Sequence, residues 1–184
     1  MSFIYTLIFC ITFLFSEELT FEQAVIKSPF NIASLGNIIL IPNEDAYLIR
    51  GEGGNWDQWY KVSVPNMDTT LFLDRNCFNY KGNDLIVEEL ILSKDRKIAL
   101  LKTDIKRLWR YSNIGTYFIF EIESKILMPL TKNNIELRNV KFSPDSKFLA
   151  YVRNDNNLYT YDIKRGKEKK LTKTGSKTIL NGHF

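Results

Sequence analysis

Phe142-Ser143-Pro144-Asp145-Ser146-Lys147-Phe148-Leu149-Ala150-Tyr151 is a polar turn between two strand-forming halves, and weaker copies of it stand earlier in the chain. In Leu92 to Leu101, residues Ser93, Asp95 and Lys97 lie 50 positions before Ser143, Asp145 and Lys147, and Ala99 answers Ala150 after a one-residue slip. In Ile41 to Leu48, Pro42 lies 102 positions before Pro144, close to two such steps. Three copies at one period are the mark of a repeat architecture. Proline sets φ at the second position of the turn, and the Ser and Asp side chains can bond nearby backbone amides, so the chain reverses at Ser143 to Lys147.

On either side stand Asn139-Val140-Lys141-Phe142 and Phe148-Leu149-Ala150-Tyr151-Val152, rich in residues that suit a pleated, half-buried surface. A turn at Asn156-Asn157, a period-two strand over Leu158 to Ile163, a third turn at Lys164 to Lys167 and a last strand at Lys170-Leu171-Thr172 complete four short antiparallel strands. That is the pattern of one β-propeller blade. The predicted fold is therefore all-β, a partial β-propeller of about three four-stranded antiparallel blades, preceded by a signal peptide and a short helix. The expected divisions are a signal at 1–16, a helix and lead-in at 17–34, and an incomplete propeller at 35–184 with blades near 35–78, 85–131 and 137–184. Rings of this kind close with about four to eight blades, so the chain is expected to be an incomplete folding unit whose two outer blade faces await neighbours.

The 184 residues are 45% apolar and 14% aromatic, which excludes general disorder. Residues 3–15 are uncharged, apolar and short for a membrane span, and read as the core of a secretory signal with cleavage after Ser16. The usual positive start is missing, so an uncleaved anchor is the alternative. The chain is expected to be exported, periplasmic or extracellular, touching a membrane only if residues 1–16 are retained. Cys77 would then be the single cysteine of the mature part, a small core filler with no disulfide partner. Within the net charge of +4, residues 164–177 hold seven basic side chains against Glu168 alone. Lysines on edge strands and turns keep a sheet soluble, and no aromatics interleave them to stack on bases, so no nucleic-acid partner is expected.

Thr20 with Gln23 forms a capping-box pattern for a helix that ends before Pro29. The first blade is expected to use strands at 36–41, 46–50, 56–64 and 71–74, with the glycines at 51–54 making a hairpin turn rather than a phosphate cradle. Residues 79–84 read as a connecting loop, and the second blade uses 87–92, 97–103, 116–122 and 126–130. Phe120-Glu121-Ile122 aligns with Tyr161-Asp162-Ile163, and Leu130-Thr131 with Leu171-Thr172, at an offset of 41 rather than 50. The second blade therefore carries an insertion, placed at Asp104 to Gly115, and a break in a repeat is where function is expected.

The inserted segment contains Lys106-Arg107-Leu108-Trp109-Arg110-Tyr111-Ser112. Its Trp-Arg-x-Ser, the strand from Tyr117 to Ile122, Phe142-Ser143-Pro144-Asp145, Leu149-Ala150-Tyr151-Val152, Asn156-Asn157-Leu158-Tyr159 and Asn181-Gly182 follow one another in a familiar order and spacing. From Val87 onward the chain resembles the dipeptidyl peptidase IV family of serine exopeptidases, within the prolyl oligopeptidase clan. The resemblance implies an eight-bladed propeller capping an α/β-hydrolase domain, and release of N-terminal dipeptides, usually with proline second. It implies for Arg110 a contact with the carbonyl of the substrate's N-terminal residue, work that a guanidinium's fixed donor fork suits. Read from the residues alone, Arg110 would form a surface pair or stack on Trp109 or Tyr111.

The family's Asp-Trp-x-Tyr-Glu-Glu segment is expected just after Phe184, and no Gly-x-Ser-x-Gly elbow is present. His183, the sole histidine, has no serine partner and reads as structural, and one His with one mature Cys makes no metal cluster. The expectation is the N-terminal propeller portion of a dipeptidyl peptidase IV-like enzyme. In a full-length parent it would contribute substrate gating and the Arg110 contact to the N-terminus of a peptide substrate, with no catalytic residue, cofactor or metal of its own. The rival is a non-catalytic exported propeller used for protein binding, and nothing in the sequence sets an oligomeric state.

Overall fold

The computed structural model describes residues 38–51, 58–110 and 112–182. The signal and helix expected before residue 35, the turn at 52–57 and His183 lie outside the described residues. The rest has almost no helix, and its regular structure is strand. β1 (Ile39–Leu40), β2 (Ala46–Arg50), β3 (Trp59–Ser63) and β4 (Thr69–Leu73) form an antiparallel sheet in chain order. A 3-10 turn follows at Arg75–Phe78, capped by the Asp74 side chain, which accepts from the Asn76 amide. The expected connecting loop is in fact a two-residue hairpin, β5 (Asn79–Tyr80) and β6 (Asn83–Asp84). Lys81 and Gly82 close it with φ of 52° and 81°, the left-handed conformation such a tight turn needs.

β7 (Glu89–Leu92), β8 (Ile98–Arg107), β9 (Asn113–Glu121) and β10 (Ile126–Pro129) form a second sheet. A third contains β11 (Arg138–Phe142), β12 (Phe148–Val152), β13 (Leu158–Asp162) and β14 (Lys167–Lys170). Both are antiparallel meanders, so the architecture is three successive four-stranded sheets, the partial propeller anticipated above.

Successive side chains of a strand point to opposite faces, and the second sheet uses both. Ala99, Leu101, Phe118 and Phe120 join Leu48, Trp59 and Leu73 of the first sheet in one buried core. Leu100, Tyr117 and Ile119 join Leu149, Tyr151 and Tyr159 of the third sheet in another. The middle strands therefore read as continuous apolar runs, whereas β13, covered on one face, alternates buried and half-buried residues.

The Ser-x-Asp turns repeat atom for atom. Ser93 Oγ donates to Asp95 Oδ1 at 2.7 Å and accepts from the Ile98 amide at 3.0 Å. Ser143 Oγ does the same with Asp145 at 2.6 Å and the Phe148 amide at 2.9 Å. Arg96 and Ser146 take the positive φ, at 61° and 59°. In the first sheet the matching position is reached differently: Pro42 precedes Asn43, which has φ of 57°, as a type II turn requires at its third residue. The turns also touch each other, since the Asp95 amide donates to Ser146 Oγ at 3.3 Å and Arg96 pairs with Glu44 at 2.9 Å.

Three further expectations need correction. Ile98 pairs with Glu121 as Phe148 pairs with Asp162, so Ala99 corresponds to Leu149 and the repeat holds without the one-residue slip. The last strand runs over Lys167–Lys170 rather than 170–172, because Gly166, at φ of 60°, completes the turn one step earlier. Finally, β8 and β9 extend well past the expected 97–103 and 116–122 toward each other, absorbing most of the insertion into their own ladder.

Candidate functional site

The extra residues of the second sheet make a finger. Pairing in β8 and β9 runs from Ile98 with Glu121 to Thr103 with Thr116, breaks at a bulge, and resumes with Lys106 opposite Ile114 and Arg107 opposite Asn113. Asp104, at φ of 53°, is the bulge residue whose left-handed backbone keeps the strands in step beyond it. The tip is a compact reversal in which the amides of Leu108 and Trp109 both donate to the Ser112 carbonyl, at 2.9 and 3.1 Å. Arg107 fastens it from within: Nε donates to the Trp109 carbonyl at 3.4 Å and Nη2 to the Arg110 carbonyl at 3.2 Å.

Arg110, the residue singled out from the sequence, sits exposed on this tip beside Trp109, which is 78% exposed. Ser112 is half-buried and belongs to the closing hydrogen bonds of the reversal. Tyr111 lies outside the described residues. An indole so exposed contributes little to a core.

At its foot the finger is tied to the third sheet. Gly115 and Leu137 exchange backbone hydrogen bonds at 3.2 and 2.8 Å, and Lys106 pairs with Glu136. That pairing raises the pKa of the Lys106 ammonium. A cavity of about 220 Å³ opens beside this tie, lined by Ile114, Glu136, Arg138, Val152, Arg153 and two asparagines; Arg110 is not part of its wall. On the other side the Ile105 amide donates to Glu88 Oε1 at 2.7 Å.

The buried residues beneath the finger were not legible as site residues. Lys102 is only 4% exposed, and its Nζ reaches the side chain of Asn113 and lies 3.5 Å from Glu89. It also sits 5.4 Å from the centre of the Tyr117 ring. Burial, with the Glu89 charge adding to it, pushes the Tyr117 phenol well above its ordinary value. Cys77 is a half-buried free thiol packed against the first core. Among the described residues no three His, Cys, Asp or Glu side chains gather as a metal site, and no helix is long and apolar enough to cross a membrane.

Stacked four-stranded meanders with one lengthened hairpin define a piece of a β-propeller. The model of the dipeptidyl peptidase IV N-terminal region matches residues 93–184, half of the chain. A probable dipeptidyl-aminopeptidase B of Sordaria macrospora is 36% identical over 151 residues, covering 76% of this chain and 16% of that protein. The dipeptidyl aminopeptidase B of Saccharomyces cerevisiae is 32% identical over 114 residues, covering 61% and 13%. In fold, the chain superposes on the crystal structure of Porphyromonas gingivalis dipeptidyl peptidase 4 with a TM-score of 0.68 at 18% identity, over 76% of this chain and 20% of that one. The chain belongs to the dipeptidyl peptidase IV N-terminal region family, and it spans no more than a fifth of the length of these relatives.

Proposed function

We propose that this chain is the substrate-gating portion of a dipeptidyl peptidase IV-like serine exopeptidase, and that Arg110 contacts the N-terminal residue of the peptide. The observation that carries this reading is an arginine held on an exposed tip at the one place where the second sheet departs from the repeat of the third. A planar guanidinium offers two parallel donors to a peptide carbonyl, and the Arg107 staple restrains the backbone from which Arg110 projects. Trp109 beside it supplies an apolar surface for the substrate's side chain. Bond cleavage belongs to a Ser-His-Asp hydrolase domain, to which the chain contributes no residue. The protein acts after export, either cleaved after Ser16 or held at a membrane by residues 1–16.

Titration of this chain with a short peptide bearing a free N-terminus, followed through Trp109 emission and amide shifts, tests the contact. Binding is expected at about millimolar strength, lost in Arg110→Ala and weakened in Arg110→Lys, which keeps the charge but not the fork. In parallel, dipeptide release by the chain alone is expected to be nil. Turnover by the chain itself would refute the assignment of chemistry elsewhere. Binding indifferent to Arg110→Ala would refute the contact and favour a plain protein-binding propeller.

A further inference from the structure

We infer that Lys102 is a positioning residue that fixes the pose of the Trp109-Arg110 tip, an inference that rests on the substrate-contact reading of Arg110 for its functional meaning. Lys102 is the single charged side chain among the fully buried described residues. In the ladder it stands opposite Tyr117, and the same face of β9 continues through Gly115 to Asn113. The lysine stem lies along that face. A Cβ built on Gly115 would come within 3.0 Å of Lys102 Cε, 3.1 Å of its Cγ and 2.8 Å of the Thr103 carbonyl oxygen. Only glycine leaves the lane open.

At the end of the lane the ammonium meets the Asn113 side-chain oxygen, with Glu89 at 3.5 Å and the Tyr117 ring beside it. Burying an ammonium is costly, and a methionine would fill the same lane without that cost. What the charge adds is direction. It anchors Asn113, the residue that follows the tip, to Glu89 on the first strand of the sheet. Asn113 is in turn the ladder partner of Arg107, whose guanidinium holds the carbonyls of Trp109 and Arg110. A contiguous series of contacts therefore runs from Glu89 through Lys102, Asn113 and Arg107 to the tip.

Amide hydrogen exchange on the whole chain tests this. In Lys102→Met, exchange at the Leu108 and Trp109 amides is expected to rise about tenfold, while Leu100 and Ile119, deep in the same ladder, stay within about twofold of the unchanged protein. Asn113→Ala should loosen the tip to the same extent, and Asn113→Asp, which keeps the acceptor, should preserve protection. The double variant Lys102→Met with Asn113→Ala should be no looser than either single one, as expected for two groups acting through one contact.

An even rise across Leu100, Ile119 and the tip would overturn the inference, because it would mark a general loss of stability. So would additivity in the double variant, or tight tip amides in Lys102→Met. If Lys102→Met does not fold, the pair Asn113→Ala and Asn113→Asp decides: equal tip exchange in the two overturns the inference. The peptide titration separates this from the reading beneath it. A loosened tip together with peptide binding indifferent to Arg110→Ala would keep the pinning and remove the substrate contact.

Discussion

The β8–β9 and β12–β13 hairpins occupy the same place in the repeat and have become opposite kinds of structure. Both spring from a Ser-x-Asp turn with the same hydrogen bonds, and both pair in the same phase at their base. The span from Ile98 to Glu121 exceeds that from Phe148 to Asp162 by nine residues. The short hairpin closes with Asn157 turned inward, 2% exposed, its oxygen accepting from the Gly175 amide at 2.9 Å and from Thr172 Oγ at 3.0 Å. The long one closes with backbone bonds and one arginine, leaving Trp109 in solvent. Where the turn's side chains are used to hold the next segment, nothing is left over for a ligand. Where the closure relies on backbone and strand length, the tip indole stays exposed.

The largest effect in that comparison concerns the faces beneath the hairpins. Leu100 and Ala150 hold the same register position, opposite Ile119 and Thr160. Leu100 is fully buried against the third sheet, while Ala150 is half-buried. Leu100→Ala installs what the third sheet already carries there, yet it should cost about 3 kcal/mol, because a cavity opens between two sheets. Urea denaturation measures it. A cost below about 1 kcal/mol would mean that the middle sheet is not sandwiched as described.

Next comes Asn157→Ala, expected to cost about 2 kcal/mol because it takes the acceptor from both the half-buried Gly175 amide and Thr172 Oγ. Gly175 packs close against this turn, where a Cβ added to it would sit 2.3 Å from the Asp155 carbonyl oxygen. The same measurement should find Ser112→Ala, at the equivalent end of the long hairpin, far milder, because its recorded bonds are made by the backbone.

The difference between the hairpins was half visible in the sequence. Offsets of 50 and 41 between matching motifs located the insertion correctly, because turn chemistry at Ser93 and Ser143 and the aromatic strand ends survive in both copies. The form of the insertion was not visible. Lys106 and Arg107 read as loop residues, since strand pairing in a finger is supplied by the partner strand and not by local preference. Lys102 was missed for a related reason: a lysine within Leu101-Lys102-Thr103 reads as a solvent-facing residue, and its burial comes from Gly115 across the ladder. At β14, the alternation of lysines and one glutamate hid that Glu168 and Lys170 bond Tyr151 and Asp155, although all four residues of the strand stay exposed.

Acid should act more strongly on the short hairpin than on the finger tip. Burial alone would raise the Asp155 carboxyl, but hydrogen bonds from Lys170, Tyr159 and Asn157 outweigh it and hold the group well below the usual carboxylate range. A group depressed in this way stabilises the fold above its unfolded pKa, near 3.8, and that contribution disappears as the pH falls through the folded value. Below about pH 4 the wild-type chain should therefore lose protection around Asn156 and Asn157, and Asp155→Asn should flatten that dependence. The tip at 108–112 holds no carboxylate of its own and is tied to one only at a distance, through Lys102 to Glu89 at 3.5 Å, so it should follow less steeply. Parallel loss at both turns would show that acid acts globally.

The smallest effect is the one that matters most for function. Trp109→Ala removes a large side chain that is 78% exposed and, among the described contacts, takes part through its backbone rather than its ring. Stability should change by no more than about 0.5 kcal/mol, since nothing collapses and no buried group loses its partner. Peptide binding, by contrast, should fall severalfold if the indole covers the substrate's side chain, as read by amide shifts at Leu108 and Ser112 in place of the lost fluorescence. A residue that stability ignores and binding requires is the expected product of a repeat hairpin lengthened for contact. If Trp109→Ala instead destabilises the chain as Leu100→Ala does, the finger is packing and not reaching, and the contrast with β12–β13 loses its functional meaning.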